Sequence, residues 1–275
     1  MNNKLNLLRT VVLFLFLCSF TGCSMDNDRC LTITGSTALA PLVKYAAEDF
    51  MALHPGVAVR VTGGGSYGGF YQVLSGAADI GISSIPATAE LRDQGLVEHT
   101  FAIAPIVFIA HPGVGKDNLT QEEMKRVLTG EATNWREVGG EDLPVILVHR
   151  QRSSGIRSLI EEQILTDEEF GLHAVTQDSC GSLRQVVATT PGAIGYTTMF
   201  YADDSVKVLN FDSIPCEPGC VKCEAYSLLA DGILLTNGKP SRLTKQFIDY
   251  ITSEHFFNSE FENMGFYKVG FEKAS

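Results

Sequence analysis

The sequence predicts an α/β protein with largely parallel β-sheets. Short apolar runs recur along the chain, each followed by a turn rich in Gly, Ser or Thr and then by an amphipathic segment with helical spacing. Strands that alternate with helices in this way usually form parallel sheets covered by the helices. No internal repeat or low-complexity tract interrupts the alternation, and 275 residues suffice for one large domain or two smaller lobes.

The first third of the chain shows this pattern most clearly. Apolar residues three and four apart predict a helix over 38–54, which ends at a Pro-Gly pair as a helix should. A shorter helix is expected to end at Ser75 or Gly76. The strands predicted around these helices are 31–34, 57–61 and 79–82.

A long apolar run over 101–110 contains Pro105. Because proline lacks the N–H group that a central strand uses, we expect a crossing or edge strand here. Thr120 and Glu123 form a capping box at the start of another helix. The remaining predicted elements are helices at 120–128, 155–165, 166 or 167 to 170, and 241–253, strands at 144–148, 193–196 and 226–235, and a loop at 149–154.

The N-terminus has the features of a secretory signal. Lys4 and Arg9 precede the apolar run 11–17, which is too short for a membrane span of ~20 residues. Residues 20–23 resemble a bacterial lipobox, in which Cys23 becomes the acylated first residue. We expect a signal peptide over 1–22 and a leader over 23–29, hence an exported, lipid-anchored protein. An uncleaved anchor is the alternative.

The charge excludes one class of partner. Loss of residues 1–22, which contain two basic residues and no acids, changes the formal charge from −11 to −13. A chain this acidic, without a run of Lys or Arg, lacks the basic surface that nucleic-acid binding needs. A small anion is still possible, because backbone N–H groups bind anions without net positive charge.

Five cysteines remain beyond the leader, and in an exported protein they favour disulfides. Their connectivity stays open, and the odd number leaves one thiol free or pairs it with another chain. A metal site formed by Cys180 and the closely spaced cysteines of 216–223 is the alternative. The five are Cys30, Cys180, Cys216, Cys220 and Cys223.

Four Gly-, Ser- or Thr-rich loops follow predicted strands, and the carboxyl ends of parallel strands are where such folds bind ligands. Their hydroxyls and free N–H groups are donors, and Arg150 or Arg152 adds a planar fork that matches an oxyanion. Together they predict an anion site. The loops are 35–38, 64–69, 81–84 and 150–155.

From about Cys30 onward the chain resembles the phosphate-binding component of bacterial high-affinity phosphate ABC transporters. The resemblance implies a two-lobed periplasmic-binding-protein fold of type II, in which two crossing strands form the hinge. It implies lobes at 30–108 plus 226–275 and at 109–225, capture of phosphate or a related oxyanion for a permease, and neither enzyme activity nor a cofactor. The matching segments are 35–37, 65–69, 78–84, 118–120, 129–130, 134–135, 150–157 and 191–196.

The resemblance also assigns roles to individual residues. Side-chain donors would be Thr37, Ser66, Arg150 and Ser154, and backbone donors Ala38 and Gly155. Three other positions depart from the family pattern. Ser84 stands where several members have an aspartate that accepts a hydrogen bond from protonated phosphate, Ile156 replaces a threonine, and Arg152 replaces an aspartate in some members. These departures leave sulfate, arsenate, molybdate and tungstate as other candidate ligands.

Two other functions fit parts of the sequence. Residues 64–68 satisfy the G-x-S-x-G pattern of a serine hydrolase, with Ser66 as nucleophile and His255 as base. The acid would be Asp203, Asp231 or Asp249. The second alternative is an anion-sensing receptor, in which a sensor protein instead of a permease recognises the closed form.

Overall fold

Strands and helices alternate as the apolar pattern predicts. The computed structural model describes residues 29–217, 225–257, 261 and 264–269. The strands are β1 (Cys30–Gly35), β2 (Ala58–Gly63), β3 (Ile80–Ser83), β4 (Leu96–Ala110), β5 (Asn118–Leu119), β6 (Ile146–Arg150), β7 (Val175–Gln177), β8 (Ala193–Thr198), β9 (Lys207–Phe211), β10 (Leu229–Asn237) and β11 (Tyr267–Lys268). The helices are α1 (Ala40–Leu53), α2 (Gly65–Leu74), α3 (Ala89–Asp93), α4 (Gln121–Thr129), α5 (Gly155–Ile160), α6 (Cys180–Thr189), α7 (Arg242–Ile251) and α8 (Glu254–Phe257).

The strands form two sheet regions with strand order β2-β1-β3-β10-β4 and β4-β8-β6-β7, joined through β4. Pairing is parallel among β2, β1 and β3, and again among β8, β6 and β7. The strands between these groups pair antiparallel, as β10 does with both β3 and β4. The predicted α/β class is confirmed, and the sheet is mixed because β4 and β10 run along each other in opposite directions.

Strand β4 passes from one sheet region to the other at Pro105. Residues 96–105 pair with β10, whereas Ile106 to Ala110 pair with β8. Just past the proline, the Ile106 N–H donates to the Leu228 carbonyl at 2.8 Å. The predicted crossing character of this segment is therefore confirmed. We call the part around β1, β2, β3 and β10 the first lobe, and the part around β6, β7 and β8 the second lobe.

Helix α1 shows why the apolar spacing predicts a helix. Its inward residues recur three and four apart and are buried in the core, up to Phe50. Phe50 packs edge-on against Phe247 of α7, with ring centroids 5.3 Å apart. Helix α7 thus packs against α1, which places α7 on the first lobe.

Several local predictions differ from the structure. His149 and Arg150, predicted in a loop, are the last residues of β6, because β7 pairs with them. The predicted helix over 167–170 is absent, and the helix that starts at Gly155 changes after Ile160 into the π-helical turn Glu161–Leu165. Strand β7 and helix α6 were not predicted, because β7 has only three residues and much of α6 is polar.

The calls on the signal peptide, Cys23, most of the leader, Cys220 and Cys223 lie outside the described residues. Within the described part of the chain, no helix has the length and apolar character to cross a membrane. No disulfide joins any two of the cysteines the structure describes. No group of metal-ligating side chains is found among the described residues either.

Candidate anion-binding site

Strand register brings three predicted loops of the first lobe together. Gly35 at the end of β1 is aligned with Gly63 of β2 and with Ile82 of β3. The residues that follow these strand ends therefore emerge at one edge of the sheet. They comprise 36–38, the start of α2 at Gly65, and Ser84. The predicted convergence of these loops is thus present in the fold.

Three buried serine hydroxyls form the centre of this edge. Ser36, Ser66 and Ser84 are 3%, 0% and 1% exposed. The Ser84 N–H donates to Ser66 Oγ at 2.9 Å, and the Ser36 and Ser84 hydroxyls are hydrogen-bonded to each other. Because a hydroxyl both donates and accepts and its hydrogen can rotate, the serines of this cluster can donate hydrogen bonds to an anion. Ser36 was not among the predicted site residues, although it lies within a predicted loop.

The second lobe contributes the end of β6 and the start of α5. Arg150 is the last residue of β6, and Ser154 caps α5 by accepting from the Arg157 N–H at 3.4 Å. The first N–H groups of a helix have no partner within it, so those of Gly155 and Ile156 are available as donors. The Ile156 side chain is buried in the apolar core, so only its backbone is available to a ligand.

The two lobes touch where these loops meet. A Cβ atom on Gly155 would lie 2.3 Å from Ser66 Oγ, and one on Gly65 would lie 2.2 Å from the Ser153 carbonyl oxygen. The Tyr67 N–H donates to that same carbonyl at 3.3 Å. Glycine is required at both positions because any side chain would keep the lobes apart. Beside this contact, Ser153 Oγ is buried and has no hydrogen-bond partner.

Arg150 is the main charged group of the site and is 1% exposed. Its Nη2 donates to Thr37 Oγ1 across the lobes at 3.1 Å and to the Asp178 carbonyl at 2.7 Å. Its Nε and Nη1 donate to the Gln177 carbonyl at 3.4 Å and to Cys180 Sγ at 2.9 Å. None of the ion pairs found among the described residues includes Arg150. A buried cation without a carboxylate partner is costly, and a bound anion would compensate for it.

Residues on and just after β8 of the second lobe also hold the loop 36–38 and Arg150 in place. Burial raises the pKa of the Tyr201 phenol, which therefore stays protonated and donates to the Thr37 carbonyl at 2.9 Å. Thr198 Oγ1 donates to the Ala38 carbonyl at 3.3 Å. The Tyr196 hydroxyl accepts the Arg150 N–H at 3.3 Å. These contacts hold Thr37 and Arg150 in position without adding charge.

Cys180 lies in the site and was not predicted there; the sequence suggested only a disulfide or metal role. It is the first residue of α6, whose N-cap Ser179 accepts from the Ser182 N–H. A Ser-x-x-Ser pattern marks this helix start and was the available signal. What the pattern does not show is that the thiol lies against the guanidinium of Arg150.

A cavity of about 850 Å³ lies beside the site, lined by Tyr67, Arg152 and Arg157 among others. The side chain of Arg152 is exposed there. Arg157 is paired with Glu161 and stacks on Phe170, 4.9 Å from its ring centroid. Burial and the charge of Arg157 lower the pKa of His149 to about 4. The wall of the second lobe here carries both charges, since Glu161, Glu168 and Glu169 line the cavity together with Arg152 and Arg157, and His149 beside them is neutral at pH 7.

The contacts of the serine-hydrolase candidates do not form a triad. Ser66 Oγ accepts a hydrogen bond from the backbone N–H of Ser84. Asp203 is bonded to Arg184 and Ser205, and Asp249 to Lys245. His255 lies on α8, in the C-terminal part of the chain. Ser66 therefore has neither a base nor an acid among its contacts in the described structure.

Comparison with known proteins agrees with this architecture. Residues 23–255 match the PBP superfamily domain. The chain is 36% identical over 242 residues to the phosphate-binding protein PstS of Bacillus subtilis, covering 87% of this chain and 80% of that protein. It is 29% identical to PstS of Borreliella burgdorferi, covering 90% and 94%. These relatives are named as binding proteins and not as enzymes.

Solved structures give the same result. A phosphate ABC transporter substrate-binding protein of Clostridium perfringens, solved with bound phosphate, superposes with a TM-score of 0.83 at 29% identity. The match covers 87% of this chain and 99% of that one. A phosphate transport receptor of Vibrio cholerae gives a TM-score of 0.70 at 27% identity, with 86% and 99% covered. The chain therefore belongs to the PBP superfamily and, within it, to the family of the bacterial phosphate-binding PstS proteins.

Proposed function

We propose that this protein captures inorganic phosphate outside the cytoplasmic membrane and delivers it to the permease of an ABC transporter. The buried, carboxylate-free guanidinium of Arg150 is the observation that carries the proposal. It contacts the Thr37 hydroxyl, and the same region between the lobes contains the buried serine hydroxyls and the free N–H groups at the start of α5. Such a set donates hydrogen bonds and positive charge, which a tetrahedral oxyanion accepts. The relatives named for phosphate binding support phosphate among the oxyanions.

The ligand set of this proposal spans both lobes. It comprises Thr37, Ala38, Ser66, Ser84, Arg150, Ser154, Gly155 and Ile156. The proposed lobes are 30–108 plus 226–275 and 109–225, with the hinge where β4 and the segment before β10 cross between them. An anion that contacts both lobes has higher affinity for the closed form, and this difference drives closure. The contact between Gly155 and Ser66 is the kind of approach that closure requires.

Export and anchoring complete the proposal. Cleavage before Cys23 and its acylation would tether the protein to the membrane while leaving it exposed to solutes. Disulfides among Cys30, Cys180, Cys216, Cys220 and Cys223 are the expectation for that compartment, with their connectivity open; Cys30, Cys180 and Cys216 are not joined to one another in the described structure. Mass measurement of the protein purified from membranes would show both the lipid and any disulfide.

Isothermal titration calorimetry of the purified protein, dialysed free of anions, tests the function. Phosphate and sulfate would be titrated separately at pH 7. Tight phosphate binding with weaker sulfate binding is the expected result. Sulfate binding without phosphate binding would move the function to another oxyanion. Absence of any response to oxyanions would contradict the proposal.

A further inference from the structure

Residues 177–180 surround one side of the Arg150 guanidinium. Two of the acceptors there are the carbonyls of Gln177 and Asp178, which any sequence would supply. The third is the sulfur of Cys180, at 2.9 Å from Nη1. Of the five guanidinium N–H groups, these three contacts and the one to Thr37 use four. The remaining N–H on Nη1, beside the sulfur, is left for a ligand.

The choice of acceptor matters for the charge of the site. A carboxylate would hold the guanidinium firmly but would also cancel its charge, which weakens its attraction for an anion. A thiol is a weak, uncharged acceptor. The contact with Cys180 therefore fixes the direction of Nη1 while the full positive charge of Arg150 remains available.

Cys180 also contacts the first lobe. Its backbone N–H, at the start of the ten-residue helix α6, donates to Thr37 Oγ1 at 3.4 Å. The same hydroxyl lies 3.9 Å from Cys180 Sγ. Thr37, Arg150 and Cys180 thus contact one another across the two lobes, and Cys180 is 0% exposed. Separation of the lobes would remove Thr37 from the thiol and expose it on that side.

We propose that Cys180 is a positioning residue of the anion site: its thiol aligns the Arg150 guanidinium with Thr37 without neutralising it. This inference rests on the proposed capture of phosphate. It has two consequences. Phosphate, by closing the lobes, protects the thiol from reagents, which tests whether Cys180 lies in the closing cleft. An uncharged acceptor other than sulfur at position 180 preserves binding, which a purely packing role would not require.

The first test is alkylation of the purified protein by iodoacetamide, with each cysteine followed by peptide mass spectrometry. Saturating phosphate should slow the labelling of Cys180 by about tenfold or more, since labelling then depends on the remaining open population. Cys30 is the internal control, because it begins β1 and the site lies beyond the other end of that strand. Equal slowing of both cysteines, or no slowing of Cys180, would overturn the proposal.

The second test compares Cys180→Ala with Cys180→Ser by calorimetry with inorganic phosphate. Loss of a hydrogen bond to a charged group should weaken binding in Cys180→Ala by about tenfold, and the serine hydroxyl should restore it to within about threefold. Cys30→Ala should bind as wild type does. Unchanged affinity in Cys180→Ala, or equal losses in the Ala and Ser variants, would overturn the positioning role.

The wild-type titration separates this inference from the function on which it rests. If wild type binds phosphate and the Cys180 variants do not follow the expected order, only the role of Cys180 fails. If wild type binds no phosphate, the proposed function fails, and the role of Cys180 fails with it.

Discussion

The two sides of the candidate site use different chemistry. The first lobe contributes hydroxyls: Ser36, Ser66 and Ser84 are buried, uncharged and bonded within their own lobe. The second lobe contributes charge: Arg150 is buried and is held by carbonyls, a thiol and the Thr37 hydroxyl. One side can satisfy its own hydrogen bonds, whereas the other carries a charge that the protein does not neutralise.

Because of this difference, the two lobes should have separate roles: one attracts anions in general, and the other selects among them. The charge of Arg150 attracts any small anion, because Coulomb attraction depends on charge, distance and the local dielectric and not on the chemical identity of the anion. The hydroxyl cluster can distinguish one anion from another, because an anion that leaves a buried polar group unpaired loses about 1–3 kcal/mol. Changes on the second lobe should therefore alter overall affinity, and changes on the first lobe should alter preference among anions.

Removal of the charge should have the largest effect. Arg150→Ala should weaken phosphate binding about 100-fold or more, as expected from loss of charge-assisted hydrogen bonds. Calorimetry measures the affinity. Arg150→Lys keeps the charge, and its phosphate affinity should lie between those of wild type and Arg150→Ala. Near-normal affinity in Arg150→Ala would remove this residue from the site.

Disruption of the contact between the lobes should have the second-largest effect on phosphate affinity. The Cβ of Gly155→Ala would lie 2.3 Å from Ser66 Oγ and hold the lobes apart, so phosphate affinity should fall about tenfold. Small-angle scattering should then show less compaction on phosphate addition than in wild type. Gly68→Ala is the matched control, because a Cβ there meets nothing within 4 Å. If both variants bind and compact normally, closure at Gly155 is not part of capture.

The hydroxyl side should control selectivity. Ser84→Asp places an acceptor-only group in the serine cluster; hydrogen phosphate can donate to it, and sulfate cannot. The ratio of sulfate to phosphate affinity should therefore fall about tenfold relative to the neutral control Ser84→Asn. Competition titration measures the ratio. If the ratio of sulfate to phosphate affinity is the same in the Asp and Asn variants, the residue at position 84 does not distinguish a protonated anion from an unprotonated one.

The smallest effect concerns stability on the charged side. The folded protein lowers the pKa of His149 to about 4, whereas an unfolded histidine titrates near about 6.5. Protonation therefore favours the unfolded chain, and the stability this residue contributes is complete above pH ~6.5 and decreases as the pH falls toward ~4.

His149→Gln, which can keep a hydrogen bond to Thr176, should lose about 1 kcal/mol less stability than wild type over this pH range. Denaturant unfolding at both pH values measures the difference. A parallel loss in both proteins would show that the folded protein does not lower the pKa of His149. In either case, phosphate affinity at pH 7 should change little, since His149 is already neutral there.

Short-range patterns explain which features the sequence predicts well. Apolar spacing gives α1, the capping box gives the start of α4, and Pro105 gives the crossing in β4. Such features depend on residues a few positions apart. The loop assigned to 149–154 was partly wrong because the strand character of His149 and Arg150 comes from pairing with β7, 25 or more residues away in sequence.

The sequence by itself determined the α/β class, the four polar loops at strand ends and the arginine beside them, because these follow from local periodicity and residue chemistry. Only the tertiary structure decided which groups meet. It placed Cys180 on Arg150, joined Ser36 to Ser84, and left the guanidinium without a carboxylate. Such contacts join residues 30 to 113 positions apart, and their geometry depends on how the two lobes pack together, which no local pattern records.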